Sequence, residues 1–232
     1  MPSSSILEKC CLIGESVAGN PTHFMIERAF ADAELDWRFL TFEIDARRLG
    51  EALRGVEALG MHGALLIGPL REAVADCFDN LTQRARRTGS VTCLCRDGDQ
   101  LVADDLIGAA AVAAVSHQAP VAGRHAALLG AARVAHSLAD AVAAAGVASL
   151  TVADRRLESA EALAASLAEA YPDTAIDCLP WEDDLLDLPD RTDLMISSAC
   201  WPHTRDARTA EAVAPSLAAG LATGSATGSA TG

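Results

Sequence analysis

The stretch Ala126 to Ala141, ALLGAARVAHSLADAV, runs from apolar residues through one glycine into an alanine-rich segment. That order suits a phosphate-cradling turn, which needs a glycine for the tight bend, small residues where backbone approaches a pyrophosphate, and a helix amino terminus that favours anions. Of the three glycines such a turn ordinarily carries, only Gly130 is present, followed by Ala131, Ala132 and Arg133. The methyl group of Ala132 narrows the approach without closing it, and Arg133 can meet a phosphate directly. Plain packing of a helix on a strand produces the same pattern, so the turn alone leaves both readings open. At the end of the next apolar run stand Asp154, Arg155 and Arg156, where the ribose of a dinucleotide would lie. An acid there accepts from the ribose hydroxyls of NAD, and arginines there pair with the 2′-phosphate of NADP. A solvated strand end that caps the following helix is the other reading.

Two such turns need strands that lead into them and helices that leave them. HAALLG, AARVAHSLADAVAAAG, SLTVAD, ESAEALAASLAEA, AIDCLP and DLMISSA alternate strand and helix patterns and end on a strand, which reads as a Rossmann-like half domain. Upstream, CCLIG, HFMIERAFADAEL, WRFLTFEI, RRLGEALRGVEALG and GALLIG alternate in the same way, the signature of an α/β layer on a mostly parallel sheet. PLREAVADCFDNLTQRARRTG reads as one helix opened by a proline, followed by a hairpin over SVTCLCRDGDQLVADD that turns at Asp97 and Gly98. A helix from about Gly108 to Ser116 leads into HQAPVAGRH, whose Pro and Gly mark a domain junction. The expected division is 1–116, 117–216 and a low-complexity tail, 217–232, whose Ala-Thr-Gly-Ser repeats cannot bury enough apolar surface to order.

The 232 residues are half apolar and carry a net charge of −14, enough for a sizeable core and the wrong sign for nucleic acid or an anionic membrane surface. The basic runs TQRARRTG and ADRR read as solvated faces. MPSSSILEKCCLIG lacks a basic n-region, its apolar stretch is broken by Glu8 and Lys9, and no later run would span a bilayer, so a cytoplasmic location is expected. The seven cysteines are odd in number and mostly within apolar strand-like runs, where a reduced thiol packs as a small hydrophobe. Cys93 and Cys95 alternate like strand residues, and no histidine pair completes a zinc set, so no metal site is expected.

From Leu12 to about Pro202 the chain resembles the shikimate/quinate dehydrogenases. Four segments carry the resemblance: LIGESVAGNPTHFMIERAF to the substrate loop and first helix, GMHGALLIGPLREAV to the turn bearing the catalytic lysine, TGSVTCLCRDGDQLVADDLIG to the hairpin and Asn-Thr-Asp-Gly segment, and LLGAARVAHSL through TVADRRLESAEALA to the cofactor half. The resemblance implies an amino-terminal α/β substrate domain, a Rossmann-like NAD(P)-binding domain, and hydride transfer between NADP, or NAD, and a dehydroshikimate-like ketone in aromatic amino acid biosynthesis. It implies a small anionic substrate, and a homodimer as the assembly to test for.

Position by position, the resemblance implies an altered site. The two serines that hold the substrate carboxylate fall at Asn20 and Thr22, and the lysine falls at Arg71. Substrate asparagines fall at Leu65 and Thr92, a threonine at Ile67, and the catalytic aspartate at Ile107, with Asp104 and Asp105 just upstream. A lysine paired with an aspartate can cycle a proton, whereas an arginine keeps its own at any ordinary pH. Arg71 and Asp105 are therefore the expected catalytic residues only if a loop shift sets the carboxylate beside the guanidinium. His203, in the Trp201-Pro202-His203 turn, is a further candidate proton donor. Impaired or redirected activity is expected, and the alternative is a non-catalytic relative that keeps the fold for nucleotide binding or assembly.

Overall fold

The computed structural model describes residues 7–181 and 186–198. Two compact units divide between Leu106 and Ile107. The first holds a five-stranded sheet ordered β2-β1-β3-β4-β5. Its strands are β1 (Glu8–Gly14), β2 (Trp37–Glu43), β3 (Gly63–Leu66), β4 (Cys93–Asp97) and β5 (Gln100–Asp104). β1 pairs with β2 and β3 in parallel, and β4 and β5 close the far side as an antiparallel hairpin. The hairpin turns at Gly98 and Asp99, with Gly98 at φ +57°, a backbone conformation glycine adopts without penalty. Strand residues alternate faces, and one set packs against α2 (Leu49–Ala58) and α3 (Leu70–Cys77). Cys11, Ile13, Leu66, Leu94, Leu53 and Val74 belong to that core. Each fully buried aliphatic side chain there contributes about 2 kcal/mol. α1 (Thr22–Asp32) lies by β2 and buries none of its residues completely.

The expected helix over 69–89 is instead two, α3 and α4 (Gln83–Thr88). Between them Phe78 is extended, Leu81 bridges to Ala103 and the Asn80 side chain donates to the Leu101 carbonyl at 2.8 Å. Thr82 then restarts the helix by accepting the Ala85 N–H at 3.1 Å, and Gly89 ends it at φ +63°. Pairing with the hairpin edge outcompetes helix continuity because Asn and Thr supply side-chain bonds that a helix interior does not use.

The second unit holds an all-parallel sheet ordered β8-β7-β6-β9: β6 (His125–Leu129), β7 (Ser149–Asp154), β8 (Ala175–Pro180) and β9 (Leu194–Ser197). Strand order reversing next to β6 is the Rossmann-type arrangement expected of this half. α6 (Arg133–Ala144) and α7 (Leu157–Ala170) connect the strands, and Leu128, Leu150, Val152, Leu163 and Val142 fill the core. α5 (Ile107–Ser116) belongs to this unit, so the division falls before it, whereas the sequence placed the junction after residue 116. The reason is a close crossing: a Cβ on Gly108 would sit 1.8 Å from the Ser137 carbonyl of α6. The turn expected to hold Trp201, Pro202 and His203, Cys200 and the repeat tail lie outside the described residues.

Candidate functional site

In the first unit the parallel strands β1, β2 and β3 end together, and their loops carry the polar groups. Gly14 closes β1 because Ile67 lies directly over it, 2.6 Å from where a Cβ would stand. The following loop is tied down by the Val17 N–H donating to Glu43 at 2.8 Å, at the end of β2. It then turns at Asn20, whose Oδ1 accepts the Thr22 N–H at 2.9 Å. The structure thus brings Asn20 and Thr22 together at the start of α1. With its carbonyl oxygen used, Asn20 presents its amide N–H groups as donors, the right polarity for a carboxylate.

Arg71 sits in the first turn of α3. Its carbonyl accepts the Val91 N–H at 2.8 Å, which fixes its backbone beside the start of β4, and its Nε reaches the Gly68 carbonyl at 3.4 Å. Among the described residues Arg71 makes no ion pair, so the expected Arg71–Asp105 couple is not formed in this structure. Asp104 is engaged elsewhere: Arg84 of α4 grips both its oxygens, with Nε to Oδ1 at 3.1 Å, and Thr82 and the Asp105 N–H donate to the same carboxylate. Burial pushes the Asp104 pKa up, but the Arg84 pair and these hydrogen bonds outweigh it and hold the carboxyl below its usual range. The run TQRARRTG is therefore more than a solvated face: Arg84 is half-buried and structural. Asp105 itself is 1% exposed. Thr92 is nearly buried, and its hydroxyl accepts the Leu106 N–H at 2.7 Å, so it holds the end of β5. Leu65 and Ile67 are half-buried aliphatics along β3 and just past it.

In the second unit β6 ends at Leu129 and the chain turns at Gly130, φ +94°, a conformation that favours glycine. The turn is pinned to β7 twice, by the Gly130 N–H to the Ala153 carbonyl at 2.7 Å and by the Ala131 N–H to Asp154 Oδ2 at 2.7 Å. Ala132 is the exposed residue preceding α6, and no side-chain cap occupies the helix amino terminus. A helix amino terminus without a side-chain cap is where an anion is favoured. Arg133 is exposed at the first helical position. Half-buried His136, one turn later, is pushed below the usual imidazole range by burial, to which the Arg133 charge adds.

Asp154 accepts the Arg156 N–H through Oδ1 at 2.8 Å as well as the Ala131 N–H, so one carboxylate joins the glycine turn to the end of β7. A carboxylate has about four acceptor sites, which leaves room for a hydroxyl donor. Arg155 lies 5.7 Å over the Trp181 ring, within cation–π range, and Arg156 is the exposed cap of α7. Gly130, Ala132, Arg133, Asp154, Arg155 and Arg156 thus gather around two adjoining strand ends. The residues fit a dinucleotide: no side chain larger than methyl stands between the turn and the helix terminus, and donors and acceptors occupy the flanks. Sequence reasoning missed Trp181, Glu43 and Arg84. Thr82, three residues before the Ala85 amide it caps, was a local signal pointing toward α4, as were Asp79 and Asn80 before it.

Residues 12–94 match the family "Shikimate dehydrogenase substrate binding domain". A shikimate dehydrogenase (NADP(+)) of Desulforamulus reducens is 29% identical over 180 residues, covering 76% of this chain and 61% of that protein. One of Symbiobacterium thermophilum is 32% identical over 160 residues, covering 68% and 54% respectively. The chain therefore spans less than two thirds of the length of these curated relatives. Among solved structures, ligand-free 5-ketofructose reductase of a Gluconobacter species superposes with a TM-score of 0.79 at 26% identity, covering 84% of this chain and 70% of that one. Shikimate 5-dehydrogenase from Listeria monocytogenes, in complex with shikimate and NAD, gives 0.75 at 19% identity over 84% and 70%, a likeness of fold.

Proposed function

The chain belongs to the shikimate/quinate dehydrogenase family, and we propose that it is an NAD(P)-dependent oxidoreductase acting on a small anionic hydroxy or keto compound. The carrying observation is the β6–α6 turn, with Gly130 at φ +94°, an uncapped helix start and Asp154 bonded to the turn at 2.7 Å. The pyrophosphate would be held by the α6 amides and Arg133, the adenosine ribose by Asp154, and a 2′-phosphate by Arg155 and Arg156, with NADP preferred over NAD. Bound there, a nicotinamide dinucleotide supplies or accepts a hydride.

In the first unit, the Asn20 amide and the Thr22 hydroxyl bind the substrate anion. Arg71 is a fixed cation: it polarises a carbonyl or holds an anionic group, and it does not serve as the proton donor. Asp105, buried and not beside Arg71 in this structure, would handle the proton only after a shift of its loop, and Leu65 and Ile67 give the site an apolar wall that favours a substrate with fewer hydroxyls than shikimate. Activity toward shikimate is accordingly low or redirected. The likeness to a protein named as a 5-ketofructose reductase supports a changed ketone on the same scaffold. A second reading, a nucleotide-binding relative without catalysis, is favoured by the absence of a carboxylate partner on Arg71 among the described residues.

The test is thermal melting with NADP or NAD, followed by turnover assays with shikimate, quinate and 5-ketofructose. A rise in Tm with turnover of at least one compound supports the enzyme, and a rise with none supports the second reading. No shift with either dinucleotide at millimolar concentration removes both.

A further inference from the structure

β2 is the outer strand of the first sheet, paired with β1 on one side only. The Ile44 N–H, just past its end, donates to the Gly14 carbonyl at 3.0 Å, so even-numbered residues turn their backbone groups toward β1 and odd-numbered ones turn theirs outward. Side chains close two of the outward groups: Glu27 of α1 accepts the Phe39 N–H, and Arg38 donates to the Trp37 carbonyl at 2.8 Å. Between those plugs and the strand end, the Phe39 carbonyl, both backbone groups of Thr41 and the Glu43 N–H stay open among the described residues. This open stretch is self-complementary. In an antiparallel pair a residue exchanges both N–H···O bonds with the one directly opposite, and such pairs recur at every second residue. A two-fold axis through Thr41 therefore sets its N–H and carbonyl against those of Thr41 in a second copy, and sets each Glu43 N–H against the partner's Phe39 carbonyl. The Phe39 N–H held by Glu27 is not needed.

The side chains suit the same register. Leu40 and Phe42, 38% and 40% exposed, stand on one face of the strand. About this axis Leu40 lies opposite the partner's Phe42, and Phe42 opposite the partner's Leu40, at the non-hydrogen-bonded positions where side chains approach most closely. Phe24, 76% exposed, is three residues before Glu27 and so shares the side of α1 that reaches over the strand edge. The charges at the strand ends agree as well. Antiparallel pairing brings Arg38, near the start of β2, beside the partner's Glu43 and Asp45 at its end, whereas parallel pairing would set like ends together. With about 200 Å² for each aromatic side chain, the exposed parts of Phe24, Leu40 and Phe42 amount to roughly 300 Å² per copy and roughly 600 Å² for a dimer. At the roughly 60% apolar share of an interface, that makes about 1,000 Å² in total, the lower bound of a specific one.

We propose that two copies of the chain pair through β2, antiparallel about Thr41, and join their five-stranded sheets into one continuous sheet. The test is sedimentation velocity on the full chain from about 1 to 200 µM, the range that suits an interface near the lower size bound. A dimer is expected for the wild type and for L59K, which removes an exposed apolar side chain outside the strand edge. L40E and F42K should each weaken the dimer about 10-fold or more, and L40E/F42K should recover to within about 3-fold of the wild type, because opposite charges then face each other across the axis. T41P removes an N–H that points away from β1, so it leaves the ladder within each copy intact and should be monomeric. Hydrogen exchange on the wild type reads the same contact without any variant. Protection of the Thr41 and Glu43 amides should rise with protein concentration, while that of Phe39, held by Glu27 of its own chain, stays constant. A wild type that stays monomeric, a dimer that survives T41P, a double variant no better than its singles, or exchange at Thr41 that ignores concentration overturns the proposal.

Discussion

Without the guanidinium of Arg84, Asp104 would keep the Thr82 hydroxyl and the Asp105 amide as donors and lose its countercharge. Arg84→Ala should therefore cost about 2 kcal/mol, the scale of a hydrogen-bonded charge, and lower Tm by roughly 10 °C for a unit of this size. The same pair sets a pH dependence. Although burial raises it, the Asp104 pKa is held low in the folded state by Arg84 and its hydrogen bonds. Its stabilisation is thus present above the unfolded carboxylate pKa of about 3.9 and is lost as pH falls through the folded value. Asp104→Asn should be less stable than the wild type at neutral pH, and the gap in urea midpoints should shrink below about pH 4. In the second unit, Arg155→Ala with Arg156→Ala should weaken NADP by about 10-fold or more and leave NAD nearly unchanged. Equal loss for both dinucleotides would refute a phosphate role. Because the Arg133 charge adds to the lowering of the His136 pKa, a phosphate neutralising that charge should move the His136 titration upward. An NMR titration with saturating NADP reads this directly, and an unmoved resonance counts against Arg133 as a phosphate ligand.

The helices of the second unit meet where side chains are smallest. Gly108 of α5 faces the Ser137 carbonyl of α6 so closely that a methyl group would stand 1.8 Å from it, and a backbone atom cannot swing aside. Gly108→Ala should force the helices apart at a cost of about 3 kcal/mol, read as a lowered urea midpoint with the slope unchanged. α4 depends on a different device, the Thr82 cap that restarts the helix after the hairpin-edge bridge at Leu81. Periodicity alone joined α3 to α4, because both segments carry helix-forming residues at helical spacing. The break was visible only as Asp79, Asn80 and Thr82, residues that bond backbone more readily outside a helix than within one. The remaining strands and helices of both units were legible, since buried faces impose a period of two or about 3.6 on any chain that forms them.

At the scale of the molecule, a ligand of the folded state raises stability by an amount set by its concentration over its Kd. NADP at a hundredfold excess over Kd should therefore add about 2.7 kcal/mol, with hydrogen exchange slowed around the Gly130 turn and the start of α7. The amino-acid sequence by itself determined the α/β class, the two sheets, the glycine turn of β6–α6 and the acid with two arginines at the end of β7. Each of those rests on neighbours a few residues apart, where local sterics and face periodicity decide the outcome. Which carboxylate meets which arginine was not decided there. On sequence grounds Asp104 or Asp105 could be drawn toward Arg71, and Thr92 stood at a substrate-binding position. The tertiary structure gave Asp104 to Arg84 and Thr92 to the Leu106 amide. Those choices depend on the register of β4 against β5 and on where the chain between α3 and α4 crosses the hairpin edge. Long-range packing sets both, because a side chain bonds whatever the fold brings within about 3 Å, however far apart the partners lie in the chain.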